Sequence, residues 1–265
     1  MRVRLIASDM DGSLLNDKKE FPPHFWEDLQ ALDQKGIPFV AASGRSYPKQ
    51  RRDFQQAPDS AWFICDNGAL VMHQDAVCFS DCLDEEGVHQ IIDEMAKIPD
   101  ILPVLCGVQG AWHTPCPEAF RPHLTSYYIN DHIVEDLHTV TDRILKIAIC
   151  DLRGSANNSY PTLCPSFDAR YNLVLSGPLW MDIMNRSVNK GRALRFIQEK
   201  LGVSREETMA FGDFYNDVEL LQQASMSYVM ENANDDMKQY GKFVAPSNNE
   251  FGVMQVIHRE VLDCF

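Results

Sequence analysis

Short apolar runs that stop abruptly on a polar or small residue, each followed by a helix-period segment, occupy both ends of this chain but not its middle. In the first sixty residues the order reads strand, helix, strand, helix, strand. Leu5-Ile6-Ala7 ends at Ser8-Asp9, and Phe25, Trp26, Leu29 and Leu32 then recur at helical spacing until Gly36 closes the segment. Ile37 to Ala42 is the next strand, ending in Ser43-Gly44-Arg45. After a polar helix, Trp62-Phe63-Ile64-Cys65 runs into Asp66-Asn67-Gly68, where Asn-Gly predicts a tight hairpin turn. From about residue 80 to 184 the alternation loosens, with helices expected near 84–98, 133–143 and 159–168 and a strand from Ile144 to Cys150. It then resumes, with Trp180 to Met184 as strand, Val188 to Leu201 as helix, Thr208 to Phe211 as strand, Asp217 to Gln222 as helix and Tyr228 to Met230 as strand. This pattern predicts an α/β fold in which residues 1–80 and 185–265 build one parallel-sheet core. Residues 81–184 form an inserted α+β cap. Ligands of such sheets bind beyond the carboxyl ends of the strands, where the polar residues fall.

Composition limits the partners. The formal net charge of −14 opposes binding to nucleic acid or to an anionic membrane, because the summed field repels polyphosphate surfaces. Any phosphate site must be local. Eight irregularly placed cysteines, with no charged-then-apolar leader before the first strand, make a reduced, cytoplasmic setting the expectation. No apolar run approaches the roughly 20 residues that span a bilayer. The pattern sets no oligomeric state.

Four strand ends carry chemistry. In DMDGS at 9–13, Asp9 and Asp11 project to one side of an extended chain and Gly12 permits a sharp turn. Two carboxylates so close call for a hard divalent cation with oxygen ligands, typically Mg²⁺. The same residues also make an ordinary turn after a strand. Ser43 and Gly44 of SGR offer a hydroxyl and successive N–H groups at a helix start, which suits a phosphate oxygen or a plain helix cap. Lys190 opens a helix and could neutralise a nucleophile and a phosphoryl group together; a solvated lysine is the alternative. In GDFYND at 212–217, Asp213 completes a metal site, Asn216 offers an amide to phosphate, and Asp217 orients Lys190 or metal-bound water; acids there are also common caps. The concurrence of the four carries more than any one.

In these residues the chain resembles the haloacid dehalogenase superfamily, specifically its Cof-type phosphatases with a type IIB cap, over nearly its whole length. DMDGS looks like the family's DxDGT motif, SGR its second motif, VNKGRAL at 188–194 its lysine motif, GDFYND its GDxxND motif, and PSNNEFGV at 246–253 its last segment. The resemblance implies a Rossmann-like core, Mg²⁺, and an aspartyl-phosphate intermediate formed on a small phosphorylated substrate, a sugar phosphate or flavin-related phosphate among the candidates. Asp9 would be the nucleophile and Asp11 the acid and base. The metal would be held by the Asp9 side chain, the Asp11 backbone carbonyl and Asp213. Ser43, Gly44, Lys190 and Asn216 would hold phosphoryl oxygens, with Asp217 behind them. Two positions depart from the pattern: Ser13 stands for Thr, and Glu231 for a glycine, so no ligand role is given to that loop. A phosphomutase of the same superfamily and a non-catalytic phosphate- or metal-binding regulator remain the alternatives. His113, Cys116 and His123 lie among prolines and read as a loop rather than a zinc site. Trp112, Tyr127 and Tyr128 are candidates for a substrate-touching lid, or for cap packing.

Overall fold

The structure, a computed structural model, describes residues 3–128 and 131–263. Its strands in chain order are β1 (Leu5–Asp9), β2 (Phe39–Ala42), β3 (Trp62–Cys65), β4 (Leu70–His73), β5 (Ala76–Ser80), β6 (Ile101–Gly107), β7 (Ala111–His113), β8 (Asp131–Ile133), β9 (Ile144–Asp151), β10 (Tyr171–Leu175), β11 (Trp180–Asn185), β12 (Thr208–Gly212), β13 (Met226–Met230) and β14 (Phe243–Ala245). The α-helices are α1 (Phe25–Gln34), α2 (Tyr47–Asp53), α3 (Glu85–Met95), α4 (Arg121–Tyr127), α5 (Ser159–Phe167), α6 (Lys190–Leu201), α7 (Val218–Gln222) and α8 (Gly252–Ile257). The chain divides into two compact units. One comprises the chain up to Phe79 and from Asn189 onward, the other Ser80–Val188.

The first unit is built on a sheet of order β14-β13-β12-β1-β2-β3-β4-β5, parallel from β14 to β3. The central strands are buried on both faces, which is why they read as continuous apolar runs. β1 lies between β12 and β2, in register Leu5↔Thr208 and Asp9↔Ala42. The residues that follow β1, β2 and β12 therefore leave the same edge of the sheet. β3 turns back into antiparallel β4 at Asp66–Gly68, the hairpin that Asn-Gly predicts. Behind the sheet, Leu194 and Ile197 of α6 and Leu220 of α7 pack against Leu5, Ala7 and Ala210. The predicted elements of this unit form within a few residues of their expected ends; β4, β5, β14 and α8 are additional.

The second unit carries a sheet of order β10-β11-β9-β6-β7-β8, mainly antiparallel. Its core joins Val88, Ile91 and Ile92 of α3 and Leu163 and Phe167 of α5 to Leu105, Ile147 and Ile183. Two expectations are corrected here. Trp180 to Met184, read as the first strand of the resumed parallel alternation, pairs antiparallel with β9 and β10. The expected helix at 133–143 is instead the end of β8 and a single 3₁₀ turn, Leu137–Thr139. There the Asp136 carboxylate accepts from the His138 N–H at 2.9 Å, a local bond that competes with helix.

Trp112 and Tyr128 are engaged inside this unit. The Trp112 indole stacks on His132 at 4.4 Å and donates to Asp142, and Tyr128 meets Trp180 edge-on. The Tyr127 side chain lies outside the described residues. His113 is buried, with Nδ1 against the Thr114 carbonyl and Nε2 against Asp131. No helix among the described residues is long and apolar enough to cross a membrane.

Candidate active site

A pocket of about 370 Å³ opens at the carboxyl edge of the first unit's sheet, lined by Asp9, Asp11, Ser43, Gly44, Asp213, Phe214 and Asn216. Six of these seven are sequence-predicted site residues, delivered by the loops after β1, β2 and β12. The remaining two predicted residues, Lys190 and Asp217, are fully buried. The Lys190 ammonium donates to Asp9 Oδ1 at 2.5 Å and to Asp217 Oδ1 at 2.6 Å. Asn189 places this lysine by capping α6, its side chain accepting from the Arg192 N–H at 2.7 Å. Gly68, at φ +103°, lets the β3–β4 hairpin approach: a Cβ there would sit 2.2 Å from the Asn189 carbonyl oxygen.

Carboxylates crowd the floor. Asp9, Asp213 and Asp217 each offer an oxygen within 4.8 Å of the others. Asp217 is already committed: Oδ1 holds Lys190, and Oδ2 accepts from the N–H groups of Asp213 at 3.1 Å and Phe214 at 3.2 Å. Asp213 Oδ1 accepts from the Ser13 hydroxyl at 3.2 Å. Gly12, at φ +92°, makes room beside it, since a Cβ there would lie 2.3 Å from Asp213 Oδ2. Asp9 Oδ2 is buried and has no hydrogen-bond partner. An orphaned buried carboxylate oxygen beside a second carboxylate is a set of hard oxygen donors, and a divalent cation fits it.

Burial, then the charges of Asp217 and Asp213, raise the Asp9 carboxyl well above its usual range against the pull of Lys190. Burial and Asp217 push Asp213 up to about 6. Folding therefore favours the protonated form of both. The contribution of Asp213 to stability is full below the ordinary value of 3.8 and is lost as pH rises through about 6, and that of Asp9 is likewise lost as pH rises through its own raised value. A bound cation replaces the missing proton, so Mg²⁺ should raise the melting temperature more at pH 7.5 than at pH 5. At neutral pH a concentration one hundred times Kd adds about 2.7 kcal/mol. Calorimetric scans at the two pH values check this, and equal gains at both would count against a cation at these carboxylates.

The Asp11 carboxylate stands apart from this group. Arg45 grips it through Nε at 2.9 Å and Nη2 at 2.6 Å, while Nη1 binds Asp53 at 2.8 Å. Lys19 adds a third contact at 2.9 Å. Partial burial works to raise the Asp11 carboxyl, but the bonds from Lys19 and Arg45 outweigh it and hold Asp11 below the usual range. Ser43 is buried, its hydroxyl accepting from the Arg45 N–H at 3.2 Å.

Sequence reasoning missed several residues that shape this site. Asn67 ties two loops together, its N–H donating to the Ser43 carbonyl at 3.1 Å and its Oδ1 accepting from Asn216 Nδ2 at 3.0 Å. Asn232 donates to the Gly12 carbonyl at 2.8 Å and accepts from the Asn248 N–H at 3.0 Å; Asn248 donates on to the Leu15 carbonyl at 3.1 Å. The segment after β13 and the PSNNEFGV tail thus fasten the loop that follows Asp9.

The family model for haloacid dehalogenase-like hydrolases matches residues 6–257. The chain belongs to this family. It is a phosphoric monoester hydrolase of the phosphatase branch, as its curated relatives are named. YbjI of Escherichia coli, named a 5-amino-6-(5-phospho-D-ribitylamino)uracil phosphatase, is 28% identical over 98% of this chain and 96% of its own. YcsE of Bacillus subtilis, of the same printed activity, is 25% identical over 98% and 96%. The solved structure of a haloacid dehalogenase-like hydrolase from Bacteroides thetaiotaomicron shares the fold at TM-score 0.84 and 23% identity, covering 97% of this chain and 99% of that one.

Proposed function

We propose that the protein is an Mg²⁺-dependent phosphatase of small phosphorylated metabolites, with Asp9 as nucleophile and Asp11 as acid and base. The observation that carries this reading is the Asp9 carboxylate itself. One oxygen is fixed by Lys190, and the other has no partner and belongs to a residue lining the pocket. A carboxylate held that way is oriented and available to attack.

Asp9 and Asp213, with the Asp11 backbone carbonyl, would hold the ion, which when bound supplies positive charge beside the transferring phosphoryl group. The Asp9 carboxylate attacks phosphorus, the ester P–O bond breaks, and Asp11 gives its proton to the departing oxygen. Water then attacks the phosphoaspartate while Asp11 takes back a proton, and the P–O bond to Asp9 breaks to release phosphate. Ser43, Gly44 and Asn216 bind the phosphoryl oxygens, and Lys190 balances the charge that Asp9 carries through both steps. Asp11 must enter the first step protonated, although Lys19 and Arg45 hold it ionised in this structure. A phosphoryl dianion competes for both cations, so substrate arrival would loosen their grip. The inserted unit takes the part of substrate lid, and the reduced cytoplasm is the setting proposed.

The test is inorganic phosphate release from a panel of phosphomonoesters with Mg²⁺ or with chelator. Turnover that disappears in chelator and returns with Mg²⁺ is expected. Turnover indifferent to the metal, or none on any ester, would overturn the reading in favour of a mutase or a silent regulator.

A further inference from the structure

Phe214 and Tyr215 of GDFYND have no part in the scheme above, and both are large and open to solvent: Phe214 is 54% exposed and Tyr215 46%. Single exposed apolar residues need no explanation, but these two are adjacent and stand at the site. Phe214 lines the same pocket as Asp9 and Asp11. Its ring meets that of Tyr215 edge-on, with centroids 5.0 Å apart. The pair is held in place. The Phe214 N–H donates to Asp217 Oδ2 at 3.2 Å, within the network that fixes Lys190, and the Tyr215 hydroxyl is hydrogen-bonded to Asp236.

Carboxylates, a serine, a glycine and an asparagine make up the rest of the pocket wall, and these suit a phosphoryl group. Phe214 supplies its one large apolar face. A phosphate has no use for such a face, whereas the organic part of an ester, which leaves from beside Asp11, does. An aromatic ring held by its neighbours and half open to water recognises a flat conjugated ring by stacking. Chain polyols, hydroxylated on every side, gain little from it.

We propose that Phe214, supported by Tyr215, is a specificity-determining residue that stacks on a planar ring carried by the leaving group, so that the preferred substrates are phosphomonoesters of ring-bearing alcohols. This rests on the phosphatase reading and narrows its substrate class.

The experiment compares kcat/KM for flavin mononucleotide and guanosine monophosphate with that for glycerol phosphate and sorbitol phosphate, in native protein and in Phe214→Ala, Phe214→Leu and Phe214→Trp. The native protein should favour the ring-bearing esters. Phe214→Ala and Phe214→Leu should cut that preference by about tenfold, within the range expected of one stacked ring, and Phe214→Trp should keep it. Leucine retains apolar bulk next to Asp213, which separates loss of stacking from a displaced carboxylate. A native preference for the ringless esters, or equal losses on both classes, would overturn the proposal. Failure of the native protein to release phosphate from any ester would instead strike the phosphatase reading. Calorimetric binding of the same four compounds to Asp9→Asn, with and without Phe214→Leu, then decides the ring preference without chemistry. A ring-selective loss of affinity supports it, and unchanged relative affinities overturn it.

Discussion

Replacing Lys190 with methionine is expected to lower the melting temperature in chelator by about 6–20 °C. Breaking a buried ion pair costs about 3–5 kcal/mol, and each kcal/mol shifts a domain of this size by about 2–4 °C. The side chain is fully buried and sits between two buried carboxylates, so methionine fills much of its volume but leaves Asp9 and Asp217 facing each other without a cation. Asp9 then takes up a proton more readily still. Adding Asp217→Asn to Lys190→Met should recover part of the loss, because it removes one of the stranded charges. Thermal denaturation of the native, single and double variants measures this. A fall of less than a degree or two in the single variant would show that the triad contributes little to folding.

For Asp9→Asn the two readouts should move in opposite directions. Turnover should fall about 10⁴-fold or more, as it does when a covalent nucleophile is removed. The melting temperature in chelator at neutral pH should hold or rise. The Asp9 carboxyl is raised in the folded protein, so its charge weakens the fold as pH climbs; asparagine removes that charge while its carbonyl oxygen can still accept from Lys190. Phosphate release and calorimetry on one preparation read both. An inactive variant that is also strongly destabilised would mean that Asp9 is there to hold the fold.

The sequence made Asp9, Ser43 and Asp213 legible for one reason: apolar runs buried on both faces end directly at them. Lys190 was legible through its company alone, since a lysine at a helix start is usually solvated, and nothing local announces that two carboxylates will close over it. Asn67 was hidden by its own turn. Asp-Asn-Gly reads as a hairpin and forms one, and the amide that links Ser43 to Asn216 is an extra use of a residue already explained. The grip of Arg45 and Lys19 on Asp11 was out of reach, because long cationic side chains choose partners in space.

The failed helix at 133–143 has a definite origin. Val134, Leu137 and Val140 do face the second unit's core, so a helix-like spacing was present, but it records burial of an irregular segment. Trp180 to Met184 misled differently: a strand buried along its length looks the same in a parallel sheet and in an antiparallel one.

β1 borders β12, a strand supplied from the far end of the chain, and this sets a timetable for synthesis. Asp9 leaves the ribosome ahead of the inserted unit, yet the strand beside it, Lys190 and Asp213 emerge only after the whole of Ser80–Val188 has been made. That inserted unit, with its own sheet and core, can fold during the wait. Until β12 arrives, β1 and β2 have an open edge and Asp9 has no pocket, so a nascent or prematurely ended chain cannot act on the phosphate esters around it.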